Sequence, residues 1–141
     1  MEKPRAENIE KNGENYLQAA QDRLKEAKLL LEGGSYGGSV SRSYYAFLDA
    51  ATAALLTKNT IPRSHAGVID LFSLYFIKKG PIDTKFIRWF KRIKKDREDA
   101  DYKHEKAFTQ DDASETLQEA EEFVGVIKKL FPKLIERFNV K

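Results

Sequence analysis

Arg97, Asp101 and His104 stand four and three residues apart, spacings that bring side chains onto one face of a helix. The residues before them include Phe86, Trp89, Phe90 and Ile93, an apolar stripe at three-and-four spacing. Continued at about 100° per residue, the stripe runs into Arg97, Ala100, Asp101 and His104. A stripe aimed at a core or a partner therefore turns polar part-way along its helix. Charges in such a place are costly unless they are paired or used. The set has the parts for cutting RNA through its own 2′-hydroxyl without a metal. A histidine with a carboxylate neighbour near a helix C-terminus should have a raised pKa and can serve as general acid or base. An arginine two turns away, about 10 Å along the axis, can hold the phosphate and stabilise charge that builds on it. The plainer assignment is a structural Arg97–Asp101 ion pair, with Tyr102 packed and His104 in water.

Other groups carry weaker signals. Arg42 and Asp49 are two turns apart and share a face with each other and nearly with Tyr45. Arg42, Tyr45 and Tyr102 are the candidate binding side chains. Lys85, Arg88, Lys91, Arg92, Lys94 and Lys95 fall mostly opposite the apolar stripe. They make either a solvated face or a patch that tracks phosphates. His65 falls in the first turn of a helix, where the N-terminus disfavours its charged form, and its expected role is local capping or packing. Asp111, Asp112, Glu119, Glu121 and Glu122 suit a helix start and a solvent face. There is no glycine-rich phosphate loop, Gly-x-Ser-x-Gly elbow or His-Glu-x-x-His pair. With no cysteine, disulfides and thiolate metal sites are excluded, and two histidines would leave a zinc site leaning on carboxylates. Neither a metal nor a cofactor is called for.

The elements that must position these residues are helices throughout. The polar lead-in from Met1 to Gly13, with Pro4, is expected to fray. A first helix runs from about Asn15 to Glu32, with Tyr16, Ala20, Leu24, Ala27 and Leu31 inward, and Gly33-Gly34 ends it. The second, about Gly38 to Lys58, is rich in alanine and so open to a close neighbour. Ser64 caps a third, about His65 to Lys79, which is apolar nearly all round and should be the most enclosed. Asp83 or Thr84 caps the fourth, which carries the polar-ended stripe. Thr109 to Asp112 reads as a capping box for the fifth. Pro132 should end or kink that helix, leaving 133–141 as a short tail. The result is one all-α domain, an up-and-down bundle of four to five helices. The apolar third helix, with Phe131, Leu134, Ile135 and Phe138, offers more apolar surface than a small bundle easily hides, so a homodimer is expected.

The bulk numbers are permissive. The 141 residues suffice for one core, and a net charge of +3 allows RNA or phosphate contact without demanding it. No apolar run approaches a membrane span and no signal peptide is visible, so a cytoplasmic location away from membranes is expected.

Four stretches together resemble the HEPN domain family, and in particular its small prokaryotic members. They are Ser43-Tyr44-Tyr45-Ala46-Phe47-Leu48-Asp49-Ala50-Ala51, Ser64-His65-Ala66-Gly67-Val68-Ile69-Asp70-Leu71-Phe72, Arg97-Glu98-Asp99-Ala100-Asp101-Tyr102, and Ala113 to Phe123. The resemblance implies an all-α bundle that is usually a homodimer. It implies a gene pair with a minimal nucleotidyltransferase, working as a toxin–antitoxin system. Catalytic members are metal-independent RNases with an Arg, four to six residues, then His; Arg97 and His104 have six residues between them. On that pattern His104 is the acid or base, Arg97 holds the scissile phosphate and Asp101 orients one of them. Two readings stay open: a toxin or toxin-like component that is a metal-independent endoribonuclease, and a non-catalytic module that binds a nucleotide or partners a nucleotidyltransferase.

Overall fold

The computed structural model describes residues 6–102 and 107–140. Helix α1 spans Ala6–Glu32, α2 Tyr36–Leu56, α3 His65–Phe72, α4 Lys85–Tyr102 and α5 Gln110–Val140. A π-helical segment, Ser73–Lys78, prolongs α3. No strand occurs among the described residues.

The centre of the bundle is α2. Its small residues Ala46, Ala50, Ala51, Ala53 and Ala54 are fully buried, and this lets α1 lie close alongside. Ser39, also buried, donates its hydroxyl to the Ala27 carbonyl oxygen at 2.7 Å, tying the two helices where they meet. Phe47 stacks on Phe123 of α5, with centroids 4.6 Å apart, and Phe90 of α4 packs on Phe47 at 5.3 Å. These rings fix α4 and α5 to α2.

The predicted ends are realised where local chemistry sets them. Gly34 has a φ of +81°, and the backbone around it caps α1 through Ser35 N–H donating to Leu30 O at 2.8 Å. Ser64 Oγ accepts from Gly67 N–H at 3.0 Å. Asp83 Oδ1 accepts from Lys85 N–H at 2.9 Å. The capping box closes both ways: Thr109 N–H donates to Asp112 Oδ2 at 2.9 Å, and Asp112 N–H to Thr109 Oγ1 at 3.1 Å.

Four expectations are corrected. Residues 6–13 are helix and not a frayed lead-in, because Ile9 is buried and Gly13 admits the ring of Phe131. Pro132 does not end α5, and 133–140 is helix, held by buried Leu134 and Ile135. The third helix is not the most enclosed: Leu71, Leu74, Tyr75 and Ile77 are only half-buried, while α2 takes the centre. Phe131, Leu134 and Ile135 lie inside the chain's own core, so they supply no surplus apolar surface for a second subunit.

The Gly13–Phe131 contact makes a direct prediction. A Cβ at position 13 would overlap the Phe131 ring, so Gly13→Val should cost about 1–3 kcal/mol of stability in urea unfolding. In a Phe131→Ala background the same change should cost clearly less, because the clash has been removed.

Candidate functional site

The phase of α4 is set by its buried residues. Phe86, Phe90 and Ile93 point into the core. Arg92 pairs with Glu119 of α5, and Lys85 Nζ lies 2.7 Å from Glu122 Oε1. One turn beyond Ile93, Arg97 must therefore face α2. Its guanidinium lies over two rings at once, 5.2 Å from the centroid of Tyr44 and 5.1 Å from that of Tyr45. The side chain is half-buried, and its Nε is sealed from solvent. Cation–π contacts of this kind are worth about 0.5–2 kcal/mol each. They also flatten the guanidinium against the rings and restrict its orientation.

A histidine completes the cluster. Tyr44 is fully buried and its hydroxyl lies 2.9 Å from His65 Nδ1. The His65 ring also meets the Tyr45 ring edge-on, with centroids 6.1 Å apart. Lys94 and Glu98 pair at 2.5 Å on the same turn of α4 as Arg97. Burial pushes the Tyr44 hydroxyl up to about 12, against the opposing pull of Arg97, so it keeps its proton. Burial lowers the His65 pKa, and the positive charges of Arg97 and Lys94 lower it further. The site thus holds a fixed cation, a protonated phenol and a neutral imidazole.

A second charged group lies on the α1–α2 seam. Arg42 Nε is 3.4 Å from Glu26, Arg23 Nε is 3.8 Å from Asp49, and Arg23 also bonds Glu26. Asp49 is pushed up to about 6, because burial outweighs the attraction of Arg23.

The structure brings together two of the six predicted site residues, Arg97 and Tyr45. Arg42 is engaged on the seam with Glu26. Asp101 and Tyr102 fall in the last turn of α4, with side chains outside the described residues, and His104 lies outside them altogether. The basic face of α4 is partly neutralised within the chain through Lys85, Arg92 and Lys94. Glu119 is not on a solvent face: it is buried, with a pKa raised by burial in spite of Arg92. His65 packs on the α2 rings, in keeping with the packing role expected of it, but sequence reasoning did not reach its partner Tyr44, 21 positions away. The one available hint was that both residues fall in the strings shared with the HEPN family.

A family model described as "HEPN domain" matches residues 14–130. The chain is a HEPN-domain protein. Among its relatives, the Methanocaldococcus jannaschii protein named "Putative toxin MJ0605" is 40% identical over 84% of this chain and 88% of that one. A "UPF0332 protein" of Thermotoga maritima is 30% identical over 89% of this chain and 95% of that one. The crystal structure of TT1696 from Thermus thermophilus superimposes with a TM-score of 0.73 at 17% identity, covering 84% of this chain and 97% of that one, and shares the all-helical fold. A second Methanocaldococcus jannaschii relative, named "Putative toxin MJ0142", is 28% identical over 82% of this chain and 79% of that one. All four stretches that carried the resemblance lie within the matched residues.

The seam aspartate yields a pH prediction. A folded pKa above the ordinary 3.8 means that the stability favouring protonated Asp49 is complete below pH 3.8 and is lost as pH rises through about 6. Asp49→Asn lacks this dependence. Its stability relative to wild type should improve by about 2 kcal/mol between those limits, as followed by urea denaturation at several pH values.

Proposed function

We propose that this HEPN protein is the toxin or toxin-like component of a two-component system and acts on RNA as a metal-independent endoribonuclease. The observation that carries the reading is the guanidinium of Arg97, turned inward and oriented by two tyrosine rings. A planar fork held in this way is suited to a phosphodiester, because it can place two N–H donors on non-bridging oxygens without reorganising. In this reading His104 exchanges the proton and Asp101 orients His104 or Arg97, while Tyr102 and Tyr45 border the bound nucleotide. Arg42 is the outlying binding residue. The active form is a homodimer with both Arg97 sites facing one cleft, and a minimal nucleotidyltransferase is its partner protein, in the cytoplasm.

A second reading has an observation of its own. The rings that orient Arg97 also bury its Nε, which suits a structural cation in a non-catalytic module that binds a nucleotide or the nucleotidyltransferase.

The two readings separate on one assay. The first expects the purified protein to cleave single-stranded RNA in EDTA and to leave 2′,3′-cyclic phosphate ends. Arg97→Ala should lower kcat/KM by at least about 100-fold. Arg97→Lys should restore little, since an ammonium cannot replace a planar fork. RNA left intact by wild type, with stable capture of a co-expressed nucleotidyltransferase, would favour the second.

A further inference from the structure

We infer that His65 faces the same phosphodiester as Arg97 and is the base that takes the 2′-hydroxyl proton. The inference rests on the RNA-directed reading above and adds a second imidazole to it.

The imidazole and the guanidinium share two neighbours, Tyr44 and Tyr45, one from each side of the α3–α4 junction with α2. Only Nδ1 of the ring is hydrogen-bonded among the described residues, to the Tyr44 hydroxyl. The ring is half-buried, so Nε2 is left for a ligand. A phenol can donate or accept. When it accepts from Nδ1–H, the Nε2 lone pair is free, which is the tautomer a base needs. Tyr44 is thus a positioning residue for His65. The groups that face the ring are Tyr44 and Tyr45 from α2 and Lys94, Arg97 and Glu98 from α4. The two cations outweigh the carboxylate, and the imidazole stays neutral near pH 7.

Beside this cluster a groove of about 230 Å³ runs between α3 and α4. Ala66, next to His65, lines it together with Asp70, Lys91, Lys94, Lys95 and Glu98. Lys91 and Lys95 at its wall, beside the Lys94–Glu98 pair, suit the adjoining phosphate of a nucleic-acid chain whose scissile group lies at Arg97. In the step itself, His65 Nε2 accepts the 2′-O–H proton and the 2′-oxygen bonds to phosphorus. The P–O5′ bond breaks with its electron pair on the 5′-oxygen, which takes a proton from water. The products are a 2′,3′-cyclic phosphate and a 5′-hydroxyl.

The test uses the full chain. His65→Gln should lower RNA cleavage at least about 100-fold, with RNA affinity changed only a few-fold. Lys94→Gln should move the acidic limb of the kcat/KM profile to higher pH, because one of the charges holding the imidazole neutral is gone; a purely structural histidine would not produce that shift. In wild type, adding cytidine 3′-monophosphate should displace the His65 ring signals in NMR spectra and raise their titration midpoint. Cleavage by His65→Gln at the wild-type rate overturns the inference. If wild type cleaves no RNA, the RNase reading falls on that result alone, and His65 is then judged by the ring signals. Signals unmoved by the nucleotide overturn the shared phosphate site, and displaced signals uphold it. Should His65→Gln fail to fold, the Lys94→Gln profile and the wild-type ring titration decide in the same way.

Discussion

The site depends on a cation held against the faces of two aromatic rings. Arg97 belongs to α4 and the rings to α2, so their contact sets the distance and rotation between the two helices at their polar end. Below it the same pair of helices is joined by Phe90 against Phe47 and Tyr44. The apolar contact fixes the phase of α4, and the cation–π contact uses that phase to aim a charge. A guanidinium in water is well solvated and adopts many rotamers. Here much of that solvation is replaced by the negative faces of Tyr44 and Tyr45, and the rotamers are narrowed before any ligand arrives.

The rest of the bundle keeps this arrangement in register. Helix α2 is buried along most of its length because alanine and serine let α1 approach on one side, while Phe47 and Leu55 fill the other. Ionic ties on α4 lie one to three turns from the site: Lys85 with Glu122, and Arg92 with Glu119. Exposed pairs of this kind add little stability by themselves. The Arg92–Glu119 pair differs because its carboxylate is buried, and loss of Arg92 would leave that charge without its counterion.

What the sequence disclosed follows from how local each determinant is. Caps at Ser64, Asp83 and Thr109–Asp112 involve neighbours within three residues, and all three were legible. The inward turn of Arg97 was legible too, since Phe86, Phe90 and Ile93 lie on its own helix. The reach of α1 and α5 was not. Gly13 and Pro132 are residues that weaken or interrupt isolated helices, and only the packing of Ile9, Leu134, Ile135 and the Phe131 ring overrides that tendency. The partner of His65 was not legible for a related reason: it is a hydroxyl on another helix. The π-helical turns at Ser73–Lys78 likewise have no signature in the order of residues.

The close approach of Gly13 to Phe131 has a topological meaning. It puts the outer ends of α1 and α5 at one pole of the bundle. The Arg97 cluster is level with Arg23 and Glu26 of α1, which pair with the Arg42–Asp49 stretch of α2. That is about ten residues further along α1, roughly 15 Å at helical rise. The contact that clasps α1 to α5 is therefore set apart from the chemistry. Loosening that clasp and altering the tyrosine–arginine cluster should therefore have effects on stability that add, as for sites more than about 10 Å apart.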